Sequence, residues 1–197
     1  RGRVAGTVES PLVLAIDQGT HASRVRMVDL RGDILAQGEC GIGLVRPHAD
    51  WAEQDGEEIV ASIHAAAAQA LAQLDGRKPA FIAAGLACQR ASAILWHRGN
   101  GQPLSPVLSW QDRRAQAQVA ALAAHGDDVH RRTGLFLSPH YGASKLRWAL
   151  DALPAARAAA EAGTLAWGPL ASFLAFRLCR ERPLLADPQC AARTQLW

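Results

Sequence analysis

Apolar residues run unbroken from position 11 to 16 and end at Asp17-Gln18-Gly19-Thr20. The next stretch, residues 24–30, alternates polar and apolar, a turn follows at Arg31-Gly32-Asp33, and residues 34–38 begin again as an extended run. Strand, turn, strand, turn, strand is the pattern of two successive hairpins. Residues 41–54 read as a loop. Asp55 can cap a helix, with Glu57 and Glu58 in its first turn opposite the positive end of the dipole. The Ala-rich, periodic residues 58–74 predict that helix, and Asp75-Gly76-Arg77-Lys78-Pro79 predicts its stop. Residues 81–87 are small and apolar throughout, which predicts a buried central strand. Residues 93–96 and 104–109 predict two further short strands around the Gly99-Asn100-Gly101 turn.

Past Trp110 the pattern turns helical, at residues 113–125, 127–133, 144–150, 154–162 and 169–179, with one short strand near 164–167. Strands first and helices later predict an α/β domain, a mixed sheet with flanking helices. Residues 1–10 carry no such pattern and are expected to be a disordered lead-in. The chain breaks off at Leu196-Trp197 without a polar tail, which reads as a fragment or a processed half.

Composition narrows the class. The 197 residues suit one substantial domain or two small ones, and 49% hydrophobic with 20% charged is a globular balance. Against 21 basic residues stand 18 acidic ones, and the resulting charge of +3 is too small and too dispersed to predict a nucleic-acid or anionic-membrane partner. Cys40, Cys88, Cys179 and Cys190 include no CxxC pair, so no zinc ribbon or thioredoxin-type motif is present. Isolated cysteines in apolar surroundings read as reduced core residues, and a cytoplasmic setting is expected. No apolar run reaches the ~20 residues that span a bilayer.

The first turn holds the most informative chemistry. A carboxylate at the exit of a strand, here Asp17, can hold Mg²⁺ or a Mg²⁺-bound water. Gly19 and Thr20 let backbone N–H groups and a hydroxyl approach phosphate oxygens. Arg24 can offer a forked donor to the same anion. Together they point to a nucleotide triphosphate site, although Asp and Gly also suit an ordinary tight turn. The segment is neither a Walker loop nor a dinucleotide fingerprint, since no Gly-rich turn opens a helix.

Several segments resemble, in order, the N-terminal half of the FGGY carbohydrate kinases, the group that includes glycerol kinase, xylulokinase and gluconokinase. Asp17-Gln18-Gly19-Thr20 with Ser23-Arg24 is similar to the family's phosphate loop. Asp50-Trp51-Ala52-Glu53-Gln54-Asp55 is similar to its Trp-x-Glu-x-Asp lead into the first helix. Gly85-Leu86-Ala87-Cys88-Gln89-Arg90 resembles its substrate-side strand end, and Ser109-Trp110-Gln111-Asp112-Arg113-Arg114 its Trp-x-Asp/Cys-x-Arg segment. Thr133-Gly134, Ser138-Pro139 and Lys145-Leu146-Arg147-Trp148 follow, and Asp187 with Ala191-Ala192-Arg193-Thr194 resembles the close of the first domain.

The resemblance implies an actin-like, ribonuclease-H-like ATPase fold, with residues 11–197 as the N-terminal domain and the C-terminal ATP-binding domain absent from this chain. It implies transfer of the γ-phosphoryl of Mg-ATP to a hydroxyl of a small carbohydrate or polyol. Asp17 would organise Mg²⁺, and Thr20 and Arg24 would approach the terminal phosphates. On the substrate side, Gln89 and Arg90 stand at the strand end, Trp110 would pack on the substrate's carbon backbone, and His140 stands where glycerol kinase has a tyrosine. Ala91 stands where glycerol kinase has a glutamate that accepts from glycerol, so glycerol is disfavoured and another polyol or a ketose is expected. His21 departs from the family's small hydroxyl residue and is given no phosphate contact. The family's general base and adenine pocket lie in the second half, so this chain alone is expected to be inactive. Asp112 reads as a helix-start residue, Asp187 as a turn or cap, and Trp51, Trp96 and Trp148 as core or helix-face residues. Homo-oligomers occur in the family. Two other readings are a non-catalytic kinase half that binds a sugar or protein, and another actin-like ATPase such as a chaperone or filament protein.

Overall fold

A computed structural model describes residues 11–74 and 79–196. The expected lead-in at 1–10, the helix stop at 75–78 and Trp197 lie outside the described residues. In chain order the elements are β1 (Leu12–Gln18), β2 (Ala22–Asp29), β3 (Ile34–Gly41), β4 (Glu53–Gln54), α1 (Gly56–Ala72), β5 (Phe81–Cys88), β6 (Ala93–His97) and β7 (Val107–Leu108). Then come α2 (Gln116–Ala120), a 3₁₀ turn (Ala123–His125), α3 (Gly126–Thr133), α4 (Gly142–Ala152), α5 (Pro154–Glu161), β8 (Leu165–Pro169), α6 (Leu170–Leu178) and α7 (Pro188–Ala192). The chain divides into two compact units, Arg1–Gly41 with Ala61–Ala87 and Ile42–Val60 with Cys88–Trp197.

In the first unit the sheet order is β3-β2-β1-β5. β1 and β2 are antiparallel with Asp17 opposite Arg24 and Ala15 opposite Arg26. β2 and β3 are antiparallel with Arg24 opposite Glu39 and Val25 opposite Gly38. Period-two alternation then separates two faces. Val25, Met27 and Ala36 are buried, as are Ile63, Ala66 and Ala70 of α1. The Ser62 hydroxyl donates to Ser23 Oγ at 2.8 Å. Gly38 lies against α1 so closely that a Cβ there would sit 2.1 Å from the Ala66 carbonyl oxygen. The opposite face carries Asp17, Arg24, Arg26 and Glu39.

In the second unit the sheet order is β4-β7-β6-β8, and every pairing is antiparallel. β6 is central, and its Ile94, Leu95 and Trp96 are buried. Trp96 meets Phe173 of α6 edge to face, ring centroids 5.6 Å apart. Leu95 packs with Ala149 and Ala156, flanked by Leu146, Trp148 and Trp167. The Asp55 carboxylate accepts the Glu57 and Glu58 N–H groups, the predicted helix cap.

The expected α/β class with flanking helices holds, and the strands of the described residues fall into two four-stranded sheets. The sequence pattern misplaces some elements. β5 is not a buried central strand: it ends the sheet order, and Phe81 and Ile82 are 41% and 61% exposed. A continuous apolar run states only that a strand tolerates burial on both faces, not that both faces are covered. The helix predicted over 113–125 reduces to α2 and the 3₁₀ turn, because Arg113 N–H donates to the Asp50 carbonyl and the Arg114 N–H to the Asp112 carboxylate. The two-residue β4 and the five-residue α7 were too short to carry a periodic signal. Asp187 caps α7 by accepting the Cys190 N–H at 3.0 Å, in keeping with its reading as a turn or cap.

Candidate functional site

Each unit gathers one part of the expected site. In the first, the turn between β1 and β2 brings Asp17, Gly19, Thr20 and Arg24 together. Asp17 is the penultimate residue of β1 rather than a residue past it, and its carboxylate is half exposed. Antiparallel register sets Arg24 beside it, Nη1 to Oδ2 3.9 Å. On its other side Arg24 makes a two-pronged contact with Glu39, at 2.9 and 3.2 Å. The Gly19 N–H closes the turn by donating to the Ala22 carbonyl, and a Cβ at Gly19 would lie 3.3 Å from that oxygen. Asp17, Arg24 and Arg26 line a recess of about 340 Å³ with Ala15, Ile16 and the Gly85–Ala87 end of β5. Arg26 is a second cation in the recess. Its alternation with Arg24 along β2 is visible in the sequence.

Asp17 supplies a carboxylate at the recess and Thr20 a hydroxyl in the turn. No group of three or more His, Cys, Asp or Glu residues that could hold a metal occurs among the described residues. Mg²⁺ bound through one or two carboxylates plus substrate phosphates needs no such cage, so the donor set fits Mg²⁺ arriving with a nucleotide.

The second unit joins Gln89, Trp110 and His140 through one polar network, and Arg90 follows Gln89 in the chain. Gln89 Nε2 donates to Gln54 Oε1 at 2.9 Å, and the Ser92 hydroxyl donates to Gln89 Oε1 at 2.8 Å. Ser92 Oγ in turn accepts the Trp110 N–H at 3.0 Å. His140 Nδ1 lies 2.9 Å from the Trp110 carbonyl oxygen, and the two rings meet edge to face. A carbonyl only accepts, so Nδ1 carries the proton and donates, leaving Nε2 as an acceptor. Burial lowers the His140 pKa below the ordinary 6.5, the nearby Lys145 charge lowers it further, and the Trp110 carbonyl opposes both. His140 is therefore neutral near pH 7. Trp110 is 40% exposed and is not a core aromatic. Arg90 is exposed and makes no hydrogen bond or ion pair among the described residues.

Beneath these groups lies a buried ionic cluster that local pattern missed. Asp112 is no helix-start residue. Its side chain is fully buried, accepts the Ala52 N–H at 2.7 Å, and pairs with the equally buried Arg114 at 2.7 Å. Arg114 also meets Glu53 at 2.7 Å. Its guanidinium carbon lies 3.9 Å from the centroid of the Trp51 ring and 4.6 Å from that of Trp148, so both indoles flank a cation. Lys145 is buried as well, and its Nζ donates to the Ala91 and Ser109 carbonyls at 2.8 and 2.7 Å. Apart from the Asp112–Arg114 pair itself, the partners Ala52, Glu53, Ala91 and Ser109 are distant along the chain, so no local pattern shows them.

Among the described residues, no helix is long and apolar enough to cross a membrane. All four cysteines are free thiols.

Comparison with known proteins agrees with the geometry. The chain is 41% identical over 187 residues to a glycerol kinase of Paracidovorax citrulli, a match covering 94% of this chain and 37% of that protein. A solved structure of Plasmodium falciparum glycerol kinase with ADP superposes with a TM-score of 0.88 at 25% identity, covering 95% of this chain and 38% of the other. A xylulose kinase from Rhodospirillum rubrum superposes at 0.79 with 22% identity, covering 94% and 38%, and shares the fold. The chain thus spans well under half the length of these relatives. The family model for the FGGY family of carbohydrate kinases, N-terminal domain, matches residues 12–197. The chain has the actin-like α/β fold of those kinases and belongs to the FGGY family of carbohydrate kinases.

Proposed function

We propose that this chain is the N-terminal domain of an ATP-dependent kinase that transfers the γ-phosphoryl of Mg-ATP to a hydroxyl of a small polyol or sugar. The observation that carries the reading is the cross-strand pair Asp17–Arg24 lining the recess, with Glu39 opposite Arg24 on β3, within a chain whose family match runs from 12 to 197. Phosphoryl transfer asks the protein mainly for positioning and for neutralisation of charge. Arg24 supplies charge that can reach a phosphate. Its ion pair with Glu39 is exposed on both sides, and such pairs contribute about 0–1 kcal/mol, so a phosphate displaces Glu39 at little cost. Thr20 and Gly19 shape the turn that the phosphates approach. Asp17 would hold Mg²⁺, directly or through a water, and the ion would neutralise phosphate charge.

The polyol is received by Gln89, Arg90, Trp110 and His140. Trp110 gives a half-exposed flat wall for carbon atoms. Arg90 donates to hydroxyl oxygens. Nε2 of His140 accepts from a hydroxyl, and Ala91 offers no acceptor. A site lacking a carboxylate at 91 disfavours glycerol and suits a longer polyol or a ketose. The general base and the adenine pocket belong to a C-terminal domain outside this chain, so these 197 residues alone turn over nothing. The setting is cytoplasmic, and self-association of the whole product fits the family.

The test is ADP release from Mg-ATP by the natural full-length product across polyols, ketoses and aldonates, beside the same product carrying Arg24→Ala. Stimulation by one panel member, with loss of at least a hundredfold in Arg24→Ala, supports the reading. Stimulation by none, in a folded product, overturns it.

A further inference from the structure

We propose that Lys145 is the positioning residue of the polyol site, fixing Arg90 and Trp110 by holding the two backbone carbonyls next to them. The inference rests on the reading of Arg90 and Trp110 as polyol contacts. Lys145 lies in the first turn of α4, and its side chain is wholly buried, which is rare for lysine. Its Nζ donates to Ala91 O at 2.8 Å and Ser109 O at 2.7 Å. Ala91 follows Arg90 directly, and Ser109 precedes Trp110. One ammonium thus spans the two loops that carry the candidate contacts.

Two observations suggest more than core filling. Ala91 has φ +60°, a left-handed conformation unfavourable for a non-glycine residue, and its carbonyl is one that Lys145 engages. The same loops are tied a second time by Ser92, whose hydroxyl accepts the Trp110 N–H and donates to Gln89. Lys145 and Ser92 together leave Arg90 and Trp110 little freedom relative to one another. Burying a cation here is costly. Burial drives the Lys145 pKa down to about 7, the Arg114 charge lowers it too, and Asp112 opposes them. An apolar side chain would fill the space without that penalty, so the donors are what distinguish lysine.

The variant Lys145→Met keeps the length and removes the donors. In the natural full-length product it is expected to raise the polyol KM at least tenfold while the ATP KM stays within twofold. A merely structural role gives a different signature: a smaller folded fraction lowers apparent kcat and leaves both KM values alone. An unchanged polyol KM, or equal rises in both KM values, overturns the proposal. Should Lys145→Met not be recovered folded, Lys145→Gln, which keeps one amide donor, is read in the same way. An unaltered product that turns over no polyol removes the underlying reading and this inference with it. A working product whose Lys145 variants have an unaltered polyol KM removes this inference alone.

Discussion

Replacing Arg114 with methionine takes the guanidinium away from a carboxylate that has almost no contact with solvent. Asp112 keeps two donors, the Ala52 N–H at 2.7 Å and its Arg114 backbone N–H at 3.0 Å, and loses three contacts from the side chain at 2.7 to 2.9 Å. Glu53 loses its partner at 2.7 Å. Removing one member of a buried pair costs about 3–5 kcal/mol, because the remaining charge stays desolvated and uncompensated. The faces of Trp51 and Trp148 also lose a cation, a contact of about 1–2 kcal/mol when desolvated, part of which methionine packing restores. These contributions overlap, so the expectation is a loss of about 4 kcal/mol, a large part of a typical domain's 5–15 kcal/mol. Urea unfolding followed by tryptophan emission reads the change at the affected cluster. The double variant Asp112→Leu with Arg114→Met removes both charges and should cost at least about 2 kcal/mol less than the two single variants added together. A single-variant cost below about 1 kcal/mol, or strict additivity, refutes the argument that the pair is a mutually dependent buried unit.

Gly38→Ala puts a Cβ 2.1 Å from the Ala66 carbonyl oxygen, a backbone atom that cannot swing away, and thermal unfolding should show a loss of about 1–3 kcal/mol. Asp187→Ala removes the α7 cap and should speed amide exchange at Cys190 several-fold at pH 7, matching about 1 kcal/mol. The Asp187 pKa is lowered, first by the Cys190 thiol, so the cap's contribution is present above pH 3.8 and is lost as pH falls through the folded value. The difference in exchange should therefore shrink on acidification, and a constant difference would count against a charged cap. His140 has a lowered pKa, so the unfolded state takes up its proton first as pH falls through 6.5, and stability drops from there to the folded value. The polyol KM of the full-length product should rise only as pH falls through the folded value, at the acid end of that window and below it, since a protonated Nε2 donates instead of accepting, and His140→Phe should flatten that limb.

What the sequence made legible was local. Alternation in residues 24–30 placed Arg24 and Arg26 on one face of β2 and Val25 and Met27 on the other. Asp55 announced the start of α1, and Asp187 its own role as a turn or cap. The misses share a physical cause, which is that their partners are distant along the chain. Asp112 binds Ala52 and Arg114 threads between Trp51 and Trp148, so what resembles the start of a helix is held in a non-helical ion pair. Lys145 looks like a solvent-facing helical lysine until Ala91 and Ser109 are brought above it. In the candidate site, Asp17, Thr20 and Arg24 share one turn and its strands and could be read together. Gln89, Trp110 and His140 come from separate loops, and their common network through Ser92 was invisible to periodicity.

The central claim is that the γ-phosphoryl moves to a polyol hydroxyl rather than to water. The direct measurement is the fate of γ-labelled phosphate from Mg-ATP in the natural full-length product, supplied with the polyol or ketose that stimulates ADP release most. Label recovered in a phosphorylated polyol, in equal amount to the ADP formed, is the predicted result. Label recovered as inorganic phosphate, with the polyol unmodified, contradicts the account.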